Sequence, residues 1–170
     1  VPRSHRVGVC AAVVSVYADT LTERGLIEGT LRPLAEKYDG YHVAETVVIT
    51  DAEQDAGEGM RTPGVKLLSL LHKPPTLSQQ EFCRIWAEEH TPLALEVHTQ
   101  WRLARNVVHA VVTPDAPEID GIAEEQYHCI EDLTDAQRFF GAPDNAPRIR
   151  ASACRFLDVP RLEHYVMHEY

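Results

Sequence analysis

His90 lies inside the stretch AEEHTPLALE at 87–96, two residues before a proline. Imidazole is the side chain whose charge changes nearest neutral pH, so it suits general acid and base work. Along 78–98, Phe82, Ile85, Trp86, Leu93 and Val97 fall on one apolar stripe, and His90 lies on it four residues after Trp86. The histidine therefore faces whatever the helix packs against. The negative end of the helix dipole favours the imidazolium there, while burial opposes it. Pro92 cannot donate to the carbonyl of Glu88, which predicts a helix in two segments, with Thr91 as the N-cap of the second and His90 at the joint. The bland alternative makes His90 a core residue bonded to the carbonyls that Pro92 frees.

Companions for the imidazole stand on two later segments: Asn106 and His109 in one, Glu124, Glu125, Tyr127 and His128 in the other. On a strand Arg105, Val107 and His109 share one face, Asn106 and Val108 the other. Glu124 and Glu125 project oppositely, so one of them can enter a pocket under the helix. A carboxylate beside an imidazole suits proton transfer. The 9 histidines raise the question of a metal, yet neither HxH nor HExxH occurs, and His164 and His168 of HYVMH stand too far apart on a strand to chelate easily. No metal and no cofactor are expected. Neither a Gly-rich phosphate loop nor GxSxG occurs, so nucleotide binding and hydrolase-elbow chemistry have no support.

The elements that would position these residues follow from pattern. RVGVCAAVVSVY (6–17) reads as a strand, 20–38 as a helix weakened by Gly25, Gly29 and Pro33, and YHVAETVVIT (41–50) as a second strand, a β-α-β block. The acid- and Gly-rich stretch 51–64 reads as a mobile linker and domain boundary. Then come a strand at 65–73 ended by Pro74-Pro75, a helix at 78–98 opened by the capping box Ser78/Glu81, and strands at 101–113 and 122–132. A helix split by a Gly/Pro loop and a final strand, LEHYVMHEY, complete the chain. The order β-α-β-β-α-β over 65–170 predicts an α+β, ferredoxin-like unit, preceded by a βαβ half unit in 1–50.

Composition limits the partners. With 44% hydrophobic and 25% charged residues in 170, the chain is globular, and its formal net charge of −10 repels a phosphate backbone, so no nucleic acid is expected. RIRASACR at 148–155 reads as a solvated face with ion pairs. No apolar run is long enough for a membrane span and the start lacks a secretory pattern, so the expected setting is cytoplasmic, with Cys10, Cys83, Cys129 and Cys154 as buried free thiols. VPRSH at the start reads as native loop.

The stretches at 61–96, 105–127 and 152–170, with the RTPG entry, His-Thr within EEHTPLALE and the EY ending, resemble the EthD-domain proteins of the dimeric α+β barrel superfamily, and more closely their tandem-repeat members. Residues 6–50, through AAVVSVYAD and GYHVAETVVI, resemble the second half of a first repeat. The resemblance implies two ferredoxin-like units packed sheet to sheet, as a homodimer or an intrachain pseudo-dimer, with a pocket between helix 78–98 and its sheet lined by His90, Trp86, Asn106 and one of the two glutamates. A shared fold is an analogy for function, since barrel relatives include lyases, isomerases and cofactor-independent monooxygenases. The expectation is a cofactor-independent lyase or isomerase acting by proton shuttling on a small hydrophobic metabolite of catabolism or secondary metabolism. His90 would be the acid/base, Glu125 would orient it or share its proton, and Asn106 with Tyr127 would hold an oxygen, Trp86 and Glu124 completing the pocket. The alternative is a non-catalytic binding or accessory protein supporting an oxygenase pathway. A cavity under helix 78–98 with His90 on its wall favours the enzyme; a filled core favours the alternative.

Overall fold

The computed structural model describes residues 10–18, 20–51, 54 and 59–170. They fall into two compact units, one ending at Tyr38 and the other beginning at Asp39. In the first, a short 3-10 turn (Leu21–Glu23) leads into α1 (Arg24–Leu31), steadied by an Arg24–Glu28 ion pair one turn apart. The predicted helix over 20–38 is thus cut back: Arg32 keeps helical backbone and its N–H still bonds to the Glu28 carbonyl, but Pro33 has no N–H with which to continue the ladder. The predicted strand at 6–17 is corrected over 10–17, which carry no regular structure and leave Val13, Val14, Val16 and Tyr17 exposed. A Val-rich run makes a strand only where a sheet edge and a buried face await it. Residues 6–9 of that strand lie outside the described residues, as does most of the expected linker.

The second unit is an α+β, ferredoxin-like fold. Its five strands are β1 (Tyr41–Ile49), β2 (Val65–Leu71), β3 (Arg102–Val111), β4 (Gly121–Tyr127) and β5 (Glu163–Met167), in spatial order β1-β3-β4-β2-β5 with every pairing antiparallel. β2, β3, β4 and β5 supply the four-strand pattern expected over 65–170, and β1 extends it along the free edge of β3 through bulges at His42/Val43 and Val47/Ile49. The entry to β2 is fixed by Gly64 at φ +85°, where an added Cβ would stand 1.9 Å from the Tyr127 carbonyl oxygen. β4 stops at Tyr127 rather than 132, because the Asp132 carboxylate accepts from the Cys129 backbone N–H and Glu131–Thr134 turn helical as α4.

On one face of the sheet lies a continuous helical rod: α2 (Gln79–Ile85), a π-helical turn (Trp86–His90) and α3 (Thr91–Val97). Ser78 caps it by accepting from the Glu81 N–H, but the Glu81 carboxylate turns to Arg84, so only half of the capping box forms. The expected N-cap at Thr91 is corrected. Thr91 is helical, its N–H reaches back five residues to the Trp86 carbonyl, and its hydroxyl donates to the same oxygen at 2.7 Å. In a regular α-turn the Pro92 ring would press on the Glu88 carbonyl; one residue more in the turn relieves that without breaking the rod.

Beside it lie α5 (Ala136–Phe140) and α6 (Asn145–Ala153), the two pieces of the helix predicted to be split. Arg148 pairs with Glu96 and Arg155 with Glu89, the ion pairs expected of this basic stretch. Leu71, Phe82, Ile85, Trp86, Phe156 and Leu157 form the apolar cluster between helices and sheet. Gly121 allows this packing, since a Cβ there would meet the Trp86 ring at 2.7 Å. None of the four cysteines is in a disulfide, and against expectation they are not buried: Cys154 is exposed and the other three are half-buried. No helix among the described residues is long and apolar enough to cross a membrane.

Candidate active site

Helix periodicity places a row of side chains above the sheet. Trp86, His90, Ala94 and His98 recur every fourth residue, and all four line one wall of a cavity of about 200 Å³. The sheet supplies the floor through Leu67, Ser69, Leu103, Ala123, Glu125 and His164, and α5 and α6 close the sides with Phe139, Phe140 and Ile149. The wall is largely apolar, with convergent polar groups from both layers, which is the usual build of a small-molecule site.

Register explains the floor. Glu125 is directly opposite Leu67 on one side and Leu103 on the other, so its carboxyl stands between two leucines, and among the described residues no hydrogen bond or ion pair reaches it. Burial without a counter-charge pushes this carboxyl up to about 7, so both its forms are populated near neutral pH. Ser69 is opposite His164, and its Oγ lies 2.8 Å from the His164 Nδ1. Burial lowers the His164 imidazole below its usual value.

The ceiling carries two further imidazoles. His90 Nδ1 lies 3.0 Å from Ser152 Oγ, and its ring packs on Phe156 at 5.0 Å between centroids. Burial first, then the neighbouring His98, pushes His90 down to about 4, so it is neutral at physiological pH. His98 sits at the C-terminal end of α3, with Nδ1 2.8 Å from the Phe139 carbonyl oxygen. A carbonyl only accepts, so Nδ1 carries the proton and the neutral ring keeps its lone pair on Nε2. Burial lowers this imidazole too, against that hydrogen bond.

Of the residues expected from the sequence, the structure brings together His90, Glu125 and Trp86. Glu124 and Asn106 are corrected, since both project from the opposite face of the sheet. There Asn106 Nδ2 donates to Glu124 Oε1 at 2.9 Å, and Lys66 Nζ to Glu124 Oε2 at 2.7 Å. Tyr127 does face the helices, but it is wholly buried against Phe139 and does not line the cavity. Its hydroxyl has no partner among the described residues, and burial, with the charges of Glu125 and Asp132, raises its pKa. His98, His164 and Ser69 are the site residues that sequence reasoning missed. Among the described residues no group of three His, Cys, Asp or Glu side chains is arranged to hold a metal ion.

The EthD domain family matches residues 74–160, just over half of the chain and the part that carries the helical rod, β3 and β4. The chain belongs to the EthD domain family. His90, His98 and Glu125 fall inside the matched EthD segment, whereas Ser69 and His164 flank it. A solved structure with similarity to this EthD chain is that of an ethyl tert-butyl ether d (EthD) family protein from Bacillus halodurans, 21% identical, with a TM-score of 0.48 over 65% of this chain and 100% of that one. No curated protein matches the chain.

Proposed function

We propose that the cavity is the active site of a cofactor-independent lyase or isomerase that moves a proton on a small hydrophobic molecule. The observation that carries this reading is Glu125: a carboxyl without a counter-charge among the described residues, between two leucines, poised near pH 7 on the cavity floor. A general base serves best when its pKa is close to the working pH. His90 was expected as the acid/base, but at about 4 its neutral ring is better suited to hydrogen-bond a developing oxyanion, with Glu125 carrying the proton. The substrate is small, since a cavity of about 150 Å³ already holds a benzene-sized molecule. Association of the EthD unit with a second unit, in a pseudo-dimer or a homodimer, is the assembly we propose for it.

The test is exchange of α-hydrogens for deuterium in cyclohexanone, a ketone of suitable size, followed by NMR in buffered D2O. Exchange above the buffer rate, lost in Glu125→Gln, supports the reading. Binding of the ketone with no exchange beyond buffer contradicts it and supports the alternative, a ligand-binding or accessory role.

A further inference from the structure

We propose that His98 selects the ligand of this site: a neutral, benzene-sized molecule bearing a hydroxyl, a phenol or an enol, whose O–H is received by His98 Nε2. The inference rests on the cavity proposed above as the active site, but not on its chemistry. Three observations support it. First, His98 has a fixed tautomer, because the Phe139 carbonyl 2.8 Å from Nδ1 can only accept; Nε2 is therefore an acceptor with no partner among the described residues, on a side chain that lines the cavity. Secondly, the walls are aromatic: Trp86, Phe139, Phe140 and Phe156 all face the cavity, which suits a flat ring. Thirdly, no lysine or arginine among the described residues lines it, while Glu125 does. A carboxylate would lose its hydration there, gain no counter-charge and meet a group that turns negative as pH rises.

The hydroxyl and charge requirements point to the same ligand class. An unpaired acceptor in an apolar cavity rewards one O–H and gives nothing to a hydrocarbon of the same shape. The Ser69–His164 pair on the floor offers a second polar contact to a ligand held by His98, so a molecule with oxygens at two ends also fits the class.

The experiment is calorimetric titration of the full chain at pH 8 with phenol, benzene, benzoate and benzyl alcohol, the last matching benzoate in size. Phenol should bind about tenfold tighter than benzene, the ratio that one ordinary hydrogen bond supplies, and benzoate should bind at least about tenfold more weakly than benzyl alcohol. In His98→Phe, which keeps a ring and loses the acceptor, phenol should fall to the affinity of benzene while benzene itself is unchanged. Equal binding of phenol and benzene by the unaltered protein, survival of the phenol preference in His98→Phe, or benzoate binding as tightly as benzyl alcohol would overturn the proposal. Should that variant fail to fold, the ¹⁵N resonance of His98 Nε2 in the unaltered chain decides: it should move with phenol and not with benzene, and no movement with phenol contradicts the assignment. Glu125→Gln separates the two readings, because it should slow exchange by about 10² to 10⁴ while leaving the phenol preference intact.

Discussion

Glu124 and Glu125 are neighbours in sequence, identical in chemistry, and they occupy opposite worlds. On the face turned away from the helical rod, Glu124 joins Lys66, Asn106, Glu169 and Arg102 in a network where every carboxylate meets a donor. Burial alone would raise the Glu169 carboxyl, but the hydrogen bond and charge of Lys66, with Arg102, bring it below its usual value. On the helix-covered face Glu125 has no partner among the described residues and is pushed up to about 7. The contrast separates a polar cluster that holds structure together from an unpaired group kept at a cost. Unpaired, buried, cavity-facing carboxyls are candidates for proton transfer; satisfied ones are not.

The largest expected effect is on turnover. Glu125→Gln should slow cyclohexanone exchange by about 10² to 10⁴, the usual range for a general base, whereas Glu124→Gln should leave the exchange rate unchanged. The reverse ranking would break the comparison.

The next effect is on stability. Lys66→Met leaves Glu124 and Glu169 facing one another across a partly buried site, and should cost about 3 kcal/mol in urea unfolding at pH 7, as expected when one member of a buried ion cluster is removed. Lys66→Met combined with Glu124→Gln should recover part of that loss; no recovery would show that the network is not electrostatically coupled.

The pH dependence has a definite sign. Glu125 titrates above its ordinary 4.5, so its contribution is fully present below 4.5 and is lost as pH rises through about 7, a change of about 3 kcal/mol. His90 titrates below its ordinary 6.5, so its contribution is present above 6.5 and is lost as pH falls through about 4. His98 and His164, lowered by burial, act in the same sense as His90. Between 4.5 and 6.5 the carboxyl therefore offsets part of the rise given by the histidines. Urea unfolding from pH 4 to 8 should show Glu125→Gln equal to the unaltered chain at pH 4 and about 3 kcal/mol more stable at pH 8; superimposed curves would refute the unpaired carboxyl.

The smallest effect concerns the rod that holds His90. Thr91→Val removes the hydroxyl bonded to the Trp86 carbonyl but keeps the shape, and should cost about 1 kcal/mol in the same assay. A cost near zero would mean that the backbone bond alone maintains the π-turn.

Much of this arrangement was legible in the sequence. The 3.6-residue stripe places Trp86 and His90 toward the sheet, and continuing it by fours reaches His98, so the sequence carries the signal for that residue too. The order of strands and helices along 65–170 follows from its periodicities and turn residues. What sequence could not supply was cross-strand register. Alternation separates Glu124 from Glu125, but only the pairing of Asn106 with Ile122, beside that of Arg105 with Ala123, puts Asn106 on the face of Glu124. The same holds for Ser69 and His164, which are 95 residues apart and meet only because β2 pairs with β5. Residues 10–17 of the Val-rich run stay irregular for a related reason, because a strand needs an edge as well as a pattern. Pro92 reads as a joint in the sequence, yet the helix absorbs it by widening one turn.

The poise of Glu125 near neutrality on the cavity floor is read most simply from its own titration. Carboxyl ¹³C resonances of the glutamate-labelled chain, followed from pH 3 to 9 and assigned by Glu125→Gln, should show the Glu125 signal turning over at about 7. A midpoint near the ordinary glutamate value of 4.5 would contradict the account.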